Sequence, residues 1–189
     1  MNLPNKLTFL RILMIPVFLL FILPVGNNVL LVPVSPETGR FIAAFVFVAA
    51  ALTDLLDGII ARKKGCITVL GKFLDPIADK LLVVSALIAL IQLDEVSAWA
   101  VIIIISREFI VQGIRILAAK NEVVIPAGFL GKAKTFTQMV AIVLILIKNH
   151  PFSLVISLPI GQYLLWISVI LTVISGYQYV KENITKIKE

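Results

Sequence analysis

Six long runs of apolar residues follow one another along the chain, and they most constrain what it can fold into. No charged residue occurs from Ile12 to Pro36 or from Pro151 to Val180. About 20 consecutive apolar residues are enough for one helix to cross the hydrocarbon core of a bilayer. The sequence therefore predicts an all-α membrane protein built from transmembrane helices.

The composition excludes the main alternatives to a membrane protein. Hydrophobic residues make up 60% of the 189 positions and charged residues 15%, whereas an ordinary soluble domain is about 45–50% apolar and about 25% charged. A soluble core of this size cannot hide so much apolar surface, and a disordered chain would not carry it. The net charge of +6 is typical of cytoplasmic loops rich in Lys and Arg, so we expect no nucleic-acid partner.

We predict one six-helix domain over residues 1–189, with external segments at Asn27–Gly39 and Pro151–Pro159. No small-x-small cleavage site follows the first apolar run and five more runs do, so we interpret that run as a span and not as a signal peptide. The predicted spans are Leu7–Val25, Phe41–Ile60, Phe73–Leu93, Val96–Ala118, Gly131–Ile147 and Ile160–Val180.

The distribution of basic residues predicts the orientation of these spans. With both termini in the cytoplasm, all of the 17 Lys and Arg residues except Arg40 and Lys148 fall on the cytoplasmic side. Cytoplasmic loops of membrane proteins carry an excess of these residues. The acidic and basic residues near the span ends fall in the same cytoplasmic half, which predicts a polar cavity open to the cytoplasm.

Four of the five aspartates lie close together in the sequence. Asp54 and Asp57 are three residues apart, and Asp75 and Asp79 are four apart, so each pair shares one face of its helix. The two helices are consecutive and antiparallel in the predicted topology. Both pairs are therefore expected at the same depth, where they can face each other.

Converging carboxylates repel one another unless they share protons or bind cations. Hard oxygen ligands suit Mg²⁺, Mn²⁺ or Ca²⁺, and a two-metal carboxylate site is suited to in-line displacement at phosphorus. An ion-coupled transporter also uses paired intramembrane carboxylates. Gly58, Ala61 and Gly71 lie on the faces of the aspartates, where small residues admit a ligand close to the backbone or allow close helix packing.

The aspartates belong to a longer pattern of fixed spacing, Asp54-Leu-Leu-Asp57-Gly58-Ile-Ile-Ala61-Arg62, eight residues, Gly71, three residues, Asp75, three residues, Asp79. This pattern resembles the signature of the CDP-alcohol phosphotransferases at all eight fixed positions. The resemblance implies a six-helix membrane enzyme, a homodimer, in which the four aspartates bind two divalent ions, Mg²⁺ or Mn²⁺. It implies transfer of a phosphatidyl group from a CDP-linked lipid to an alcohol with release of CMP, and it makes Asp79 the general base.

The same resemblance leads us to expect a set of contacts to the CDP-linked lipid. The cytidine is expected against the small residues of the pattern. Two polar residues of the first helix, Asn5 and Thr8, are expected to hydrogen-bond the nucleotide, with helix capping and loop geometry as their alternative roles. Arg62 is expected to balance the diphosphate or brace an aspartate. The predicted lipid-binding residues are Asn5, Thr8, Gly58, Ala61, Arg62 and Gly71.

A group of basic residues later in the chain suggests a second, anionic substrate. Arg107 and Arg115 are eight residues apart and so lie within about 80° of each other around their helix. Lys132 and Lys134 open the next helix on the same side of the membrane. Arg grips phosphate bidentately and Lys adds point charge. Glu108 is a candidate partner for one arginine, and the positive-inside bias is the alternative explanation of the lysines.

Several strings around these residues are also similar to bacterial phosphatidylglycerophosphate synthases, a branch of the same family. They are Asn2-Leu3-Pro4-Asn5-Lys6-Leu7-Thr8 with Arg11, Arg107-Glu108-Phe109, Gly113-Ile114-Arg115 and Gly131-Lys132-Ala133-Lys134-Thr135. This similarity implies CDP-diacylglycerol and glycerol 3-phosphate as substrates, in a bacterial cytoplasmic membrane with the active site facing the cytoplasm.

Two alternatives remain open at this point. The first is the same chemistry with another acceptor, such as inositol phosphate, or phosphatidylglycerol in a cardiolipin-forming relative. The second is the ion-coupled transporter, which predicts charges on both sides of the midplane and broken helices in two related halves. All the deep charges here are on the cytoplasmic side and no repeat is present, which favours the enzyme.

Overall fold

A computed structural model describes residues 3–25, 29–30, 34–64, 69–120, 128–150, 152 and 158–183 of the chain. Within its helices, the side chains at 3–7, 54–64, 69–76, 79 and 120 lie outside the described residues. The described elements are α1 (Leu3–Ile22), β1 (Pro24–Val25), β2 (Val29–Leu30), α2 (Pro36–Lys64), α3 (Val69–Gln92), α4 (Ala98–Lys120), α5 (Phe129–Leu146) and α6 (Ile160–Asn183).

The prediction of a helical protein with long apolar helices is confirmed for the described residues. Three of the helical segments there are long and apolar enough to cross a membrane: Pro36–Thr53, Phe129–Leu146 and Ile160–Asn183. Shorter apolar segments lie at Thr8–Ile22 and Lys80–Gln92. Six spans, their orientation and a single domain remain predictions.

The predicted bounds of the loop Asn27–Gly39 are wrong at both ends of the part that the structure describes. Val29–Leu30 pairs with Pro24–Val25 in a short antiparallel ladder, so the first span also ends earlier than predicted. Helix α2 already begins at Pro36, because Ser35 caps it: the Ser35 hydroxyl accepts a hydrogen bond from the Thr38 amide at 3.2 Å. A serine cap followed by proline and an acidic residue is a strong start signal for a helix.

The described chain divides into two compact units, and the first comprises Met1–Asp94 with Leu146–Lys148. In this unit α1 packs against both α2 and α3. Phe18 of α1 and Phe47 of α2 are fully buried, and their ring centroids lie 6.2 Å apart in a tilted arrangement. Burial of these large apolar side chains holds α2, which carries the first aspartate pair, against α1.

The second unit comprises Glu95–Ile145 and Asn149–Glu189, and in it α4 packs against α6. The buried face of α6 recurs every three or four residues and is rich in small and hydroxyl side chains. The hydroxyl of Thr172, for example, donates to the carbonyl of Ser168 at 2.6 Å, so this buried polar group is satisfied within its own helix. The buried residues of α6 are Gly161, Leu165, Ser168, Val169, Thr172, Ser175, Gly176, Tyr179 and Asn183.

A buried asparagine fixes the predicted start of α6. The Asn149 side-chain oxygen accepts a hydrogen bond from the Gly161 amide at 2.6 Å, which satisfies one free donor of the first turn. A Cβ atom at Gly161 would lie 2.7 Å from Cγ1 of Ile145 and 3.0 Å from the Asn149 oxygen. Glycine is therefore required at this position for α6 to approach the end of α5.

Candidate anion-binding site

The four aspartates lie in two consecutive helices, as their spacing predicts. Asp54 and Asp57 fall in α2, and Asp75 and Asp79 in α3; both helices belong to the first compact unit. Their side chains lie outside the described residues, as do the side-chain positions of Asn5, Gly58, Ala61, Arg62 and Gly71. The chemistry of the donor set, four carboxylates, fits a divalent cation, and the metal site remains a prediction.

Helix α1 contributes buried polar groups to the same unit. Thr8, a predicted nucleotide contact, is 1% exposed, and Arg11 three residues later is also 1% exposed. Two residues three positions apart share one helix face. The face of α1 that is buried in this unit therefore carries a hydroxyl and a cation.

In the second unit, Arg107 is held from two directions. Its Nη1 donates to Glu108 Oε1 and its Nη2 to the Ser175 hydroxyl, each at 3.1 Å. Its aliphatic stem lies against Gly176, where an added Cβ would come within 2.8 Å of Arg107 Cγ. The Arg107 Nε is buried and has no hydrogen-bond partner among the described residues. Helix α6 therefore receives both the stem and the tip of this side chain.

Glu108 joins Arg107 to the start of α5. Lys134 Nζ lies 2.7 Å from the same Glu108 oxygen that Arg107 contacts. The Lys134 side chain is only 4% exposed, although long lysine side chains are rarely buried without a partner. The carboxylate thus holds two cations together by charge-assisted hydrogen bonds.

Arg115 also contacts α6, one helical turn beyond Ser175. Its Nε donates to the Tyr179 hydroxyl at 3.2 Å, and its guanidinium carbon lies 5.6 Å from the centre of the Tyr179 ring, within the range of a cation–π interaction. No described residue forms a hydrogen bond to its Nη1 or Nη2. These two nitrogens can bind an anion with the bidentate geometry that arginine favours.

Lys132 differs from the other three basic residues because it is exposed on α5. The neighbouring Gly131 lies beside Arg107, since a Cβ there would be 3.8 Å from Arg107 Nη2. A net charge of +3 results from these four cations and the Glu108 carboxylate that contacts two of them. The arrangement in the second unit is suited to binding an anion.

Sequence reasoning identified the cations but missed what positions them. The prediction that Glu108 pairs with one arginine is confirmed, and its second partner, Lys134, was not anticipated. Ser175, Gly176 and Tyr179 were also missed. Their signal was the recurrence of small and hydroxyl residues every three or four positions in the last apolar run, which marks a helix face used for packing.

These observations define a helical protein with an acidic pattern in one unit and a cluster of basic side chains in the other. The model of the CDP-alcohol phosphatidyltransferase family matches residues 1–174. The chain belongs to this family, as its aspartate pattern predicted. The family is generally dependent on divalent metal ions.

Relatives in three bacterial genera are similar to the chain over nearly its whole length. The CDP-diacylglycerol–glycerol-3-phosphate 3-phosphatidyltransferase of Bacillus subtilis is 45% identical, with 96% of this chain and 95% of the relative covered. The protein of the same name from Rickettsia typhi is 39% identical, with 95% and 96% covered. A probable phosphatidylglycerophosphate synthase of Mycobacterium tuberculosis is 41% identical, with 95% and 80% covered.

Proposed function

We propose that this chain transfers the phosphatidyl group of CDP-diacylglycerol to glycerol 3-phosphate, giving phosphatidylglycerophosphate and CMP. The observation that carries the proposal is the near full-length similarity to relatives that bear the name of this activity, at 45% and 39% identity. The eight-position aspartate pattern supports the same reaction class independently. The basic cluster supports an acceptor that carries a phosphate group.

The geometry of that cluster favours an acceptor that carries a phosphate. Arg115 retains two nitrogens that no described residue engages, and Arg107 and Lys134 are fixed beside Glu108. A phosphate monoester carries close to two negative charges at pH 7. Serine, inositol or glycerol has no anionic phosphate to balance a net positive charge. Glycerol 3-phosphate is therefore bound by Arg107, Arg115, Lys132 and Lys134.

The aspartates of α2 and α3 provide the donor set for the metal ions. Asp54, Asp57, Asp75 and Asp79 would hold two divalent ions, Mg²⁺ or Mn²⁺. When bound, such ions supply electrostatic stabilisation to the attacking and leaving oxygens of a displacement at phosphorus.

The acceptor is activated by proton transfer to a carboxylate. Asp79 accepts the proton of the free primary hydroxyl of glycerol 3-phosphate. The hydroxyl oxygen forms a bond to the β-phosphorus of CDP-diacylglycerol as the bond from that phosphorus to the CMP oxygen breaks. The leaving group keeps the electron pair of the broken bond and departs as CMP. The proton is then released from Asp79 to solvent.

The lipid substrate enters sideways from the inner leaflet, so that its acyl chains stay in the bilayer. In this proposal the six spans place both termini and the active site at the cytoplasmic face of a bacterial cytoplasmic membrane, and the enzyme acts as a homodimer. The nucleotide and diphosphate are bound by residues of α1, α2 and α3, namely Asn5, Thr8, Gly58, Ala61, Arg62 and Gly71.

The test is CMP release by the purified protein in detergent with CDP-diacylglycerol and Mg²⁺ or Mn²⁺. Glycerol 3-phosphate, inositol phosphate, serine and phosphatidylglycerol are supplied as separate acceptors. Release with glycerol 3-phosphate alone supports the proposal. Release only with another acceptor would keep the reaction class and overturn the acceptor, and no release from folded protein would favour the ion-coupled transporter.

A further inference from the structure

We propose that Ser175, Gly176 and Tyr179 of α6 are positioning residues that hold Arg107 and Arg115 in place to bind the acceptor phosphate. The inference rests on the proposed function, because it takes the phosphate of the acceptor as the ligand of the two arginines. It concerns α6, a helix to which the aspartate pattern and the basic cluster assign no role.

The absence of a side chain at position 176 gives Arg107 its place. A Cβ at Gly176 would lie 2.8 Å from Arg107 Cγ, 3.6 Å from its Nε and 3.8 Å from its Cδ. The closest of these atoms is on the stem of the side chain and not at its flexible end. A side chain at 176 therefore requires Arg107 or α6 to shift, and either shift disturbs the hydrogen bond from Arg107 to Ser175.

Ser175 and Tyr179 fix the tips of the two arginines. Ser175 accepts a hydrogen bond from Arg107 Nη2 at 3.1 Å, and Tyr179 accepts one from Arg115 Nε at 3.2 Å. Both residues are buried, at 5% and 8% exposure. Buried hydrogen-bond partners restrict a long side chain to few rotamers, which lowers the entropy lost when it binds a ligand.

The partners of the two arginines lie closer together along their helix than the arginines do along theirs. Arg107 and Arg115 are separated by about 12 Å along α4, at 1.5 Å per residue. Their partners Ser175 and Tyr179 are separated by only about 6 Å along α6. The side chain of Tyr179 leans toward the helix N-terminus, and so toward the turn of Ser175. The two arginines are therefore bonded to positions on α6 that lie closer together along the helix axis than Arg107 and Arg115 do along α4.

The experiment compares two glycine-to-alanine substitutions in the same unit. Gly176→Ala adds a methyl group against the Arg107 stem, whereas Gly113→Ala on α4 adds one with no atom of the described residues outside α4 within 4 Å of it. Tyr179→Phe is the second test variant, because it removes the hydroxyl that Arg115 contacts and keeps the ring. For each purified protein we would measure kcat, and the KM values for glycerol 3-phosphate and CDP-diacylglycerol, from CMP release.

The expected result is a selective loss of acceptor binding. Gly176→Ala and Tyr179→Phe should each raise the KM for glycerol 3-phosphate about 10-fold, as expected for the loss of one hydrogen bond to a charged group. The KM for CDP-diacylglycerol should stay within about twofold, because the inference concerns the acceptor alone. Gly113→Ala should leave kcat and the KM values for both substrates unchanged.

Failure of the inference is distinguishable from failure of the proposed function. A wild-type protein that releases no CMP with glycerol 3-phosphate would contradict the proposed function. An active wild type, with an unchanged KM for glycerol 3-phosphate in folded Gly176→Ala and Tyr179→Phe, would overturn the inference alone. If Gly176→Ala does not fold, Tyr179→Phe decides: a raised KM supports the inference and an unchanged KM overturns it.

Discussion

The acidic region in α2 and α3 and the basic region in α4, α5 and α6 acquire their chemistry in different ways. In the acidic region each pair of aspartates lies on a single helix, three or four residues apart. In the basic region the partners lie 26, 64 and 68 residues apart in the chain. The first arrangement follows from the spacing of residues within one helix. The second exists only after three helices have packed, so its function depends on how precisely they pack.

The largest effect is expected from removal of metal ions, which acts on the acidic region alone. Treatment with EDTA should abolish CMP release, and added Mg²⁺ or Mn²⁺ should restore it, because four uncompensated carboxylates cannot support a reaction between phosphate-bearing substrates. The measurement is CMP release before and after chelation and after readdition. Full activity in the presence of excess EDTA would contradict the assignment of Asp54, Asp57, Asp75 and Asp79.

Substitution of the proposed base is expected to have the next largest effect. Asp79→Asn should lower kcat by at least about 10³-fold, within the range for loss of a general base, while the protein remains folded. Asp94→Asn is the matched control, because Asp94 is the fifth aspartate, is exposed, and has a φ of 57° that asparagine also tolerates. Substantial CMP release by Asp79→Asn would remove Asp79 as the base.

In the basic region, Arg115→Gln should raise the KM for glycerol 3-phosphate about 100-fold, the effect of losing a bidentate contact to a charged group. The kcat at saturating acceptor should change much less. Steady-state CMP release at varied glycerol 3-phosphate measures both parameters. A fall in kcat of about 100-fold with an unchanged KM would contradict this prediction. It would show that Arg115 stabilises the transition state and does not bind the phosphate in the ground state.

A smaller contrast is expected between the two lysines of α5. Lys134 is buried against Glu108 at 2.7 Å, whereas Lys132 is exposed. Lys134→Gln should raise the KM for glycerol 3-phosphate about 10-fold, because it removes a buried charge-assisted hydrogen bond and leaves Glu108 near the phosphate. Lys132→Gln should change it about twofold, since solvent screens an exposed charge. Larger effects at Lys132 than at Lys134 would reverse this part of the account.

The smallest effect is expected where the acidic region begins, at the cap of α2. Ser35→Ala should lower the free energy of unfolding by about 1 kcal/mol, the usual cost of losing an N-cap, and should leave CMP release unchanged. Thermal unfolding in detergent measures the change. Ser106→Ala, at an exposed position inside α4, is the control. Equal stability of Ser35→Ala and wild type would contradict the capping role of the Ser35 hydroxyl.

The sequence was most informative where a structural feature depends on neighbours along the chain. The start of α6 at Ile160 was predicted correctly, and the aspartates lie in the expected helices. The start of α2 was missed although its signal was local: Ser35, Pro36 and Glu37 form a helix start inside what was interpreted as a loop. An uncharged apolar run shows where a membrane helix is possible, and the capping residues show where it begins.

The contacts of the basic region could not be predicted in the same way. Helical spacing predicts that Arg107 and Arg115 lie on related faces of α4. It does not predict that these faces contact α6. Glu108 binds Lys134 as well as Arg107, and the Arg107 stem lies against Gly176. Both contacts depend on the register of α4 against α5 and α6. A single sequence does not fix this register, because many pairings bury similar apolar surface.

The most direct test of the central claim is identification of the lipid product by mass spectrometry. Purified protein would be incubated with CDP-diacylglycerol, glycerol 3-phosphate and Mg²⁺ or Mn²⁺, and CMP would be measured in the same reaction. The account predicts phosphatidylglycerophosphate in an amount equal to the CMP released. CMP accompanied by phosphatidic acid would show that water is the acceptor, and it would contradict the assignment of the basic cluster to glycerol 3-phosphate.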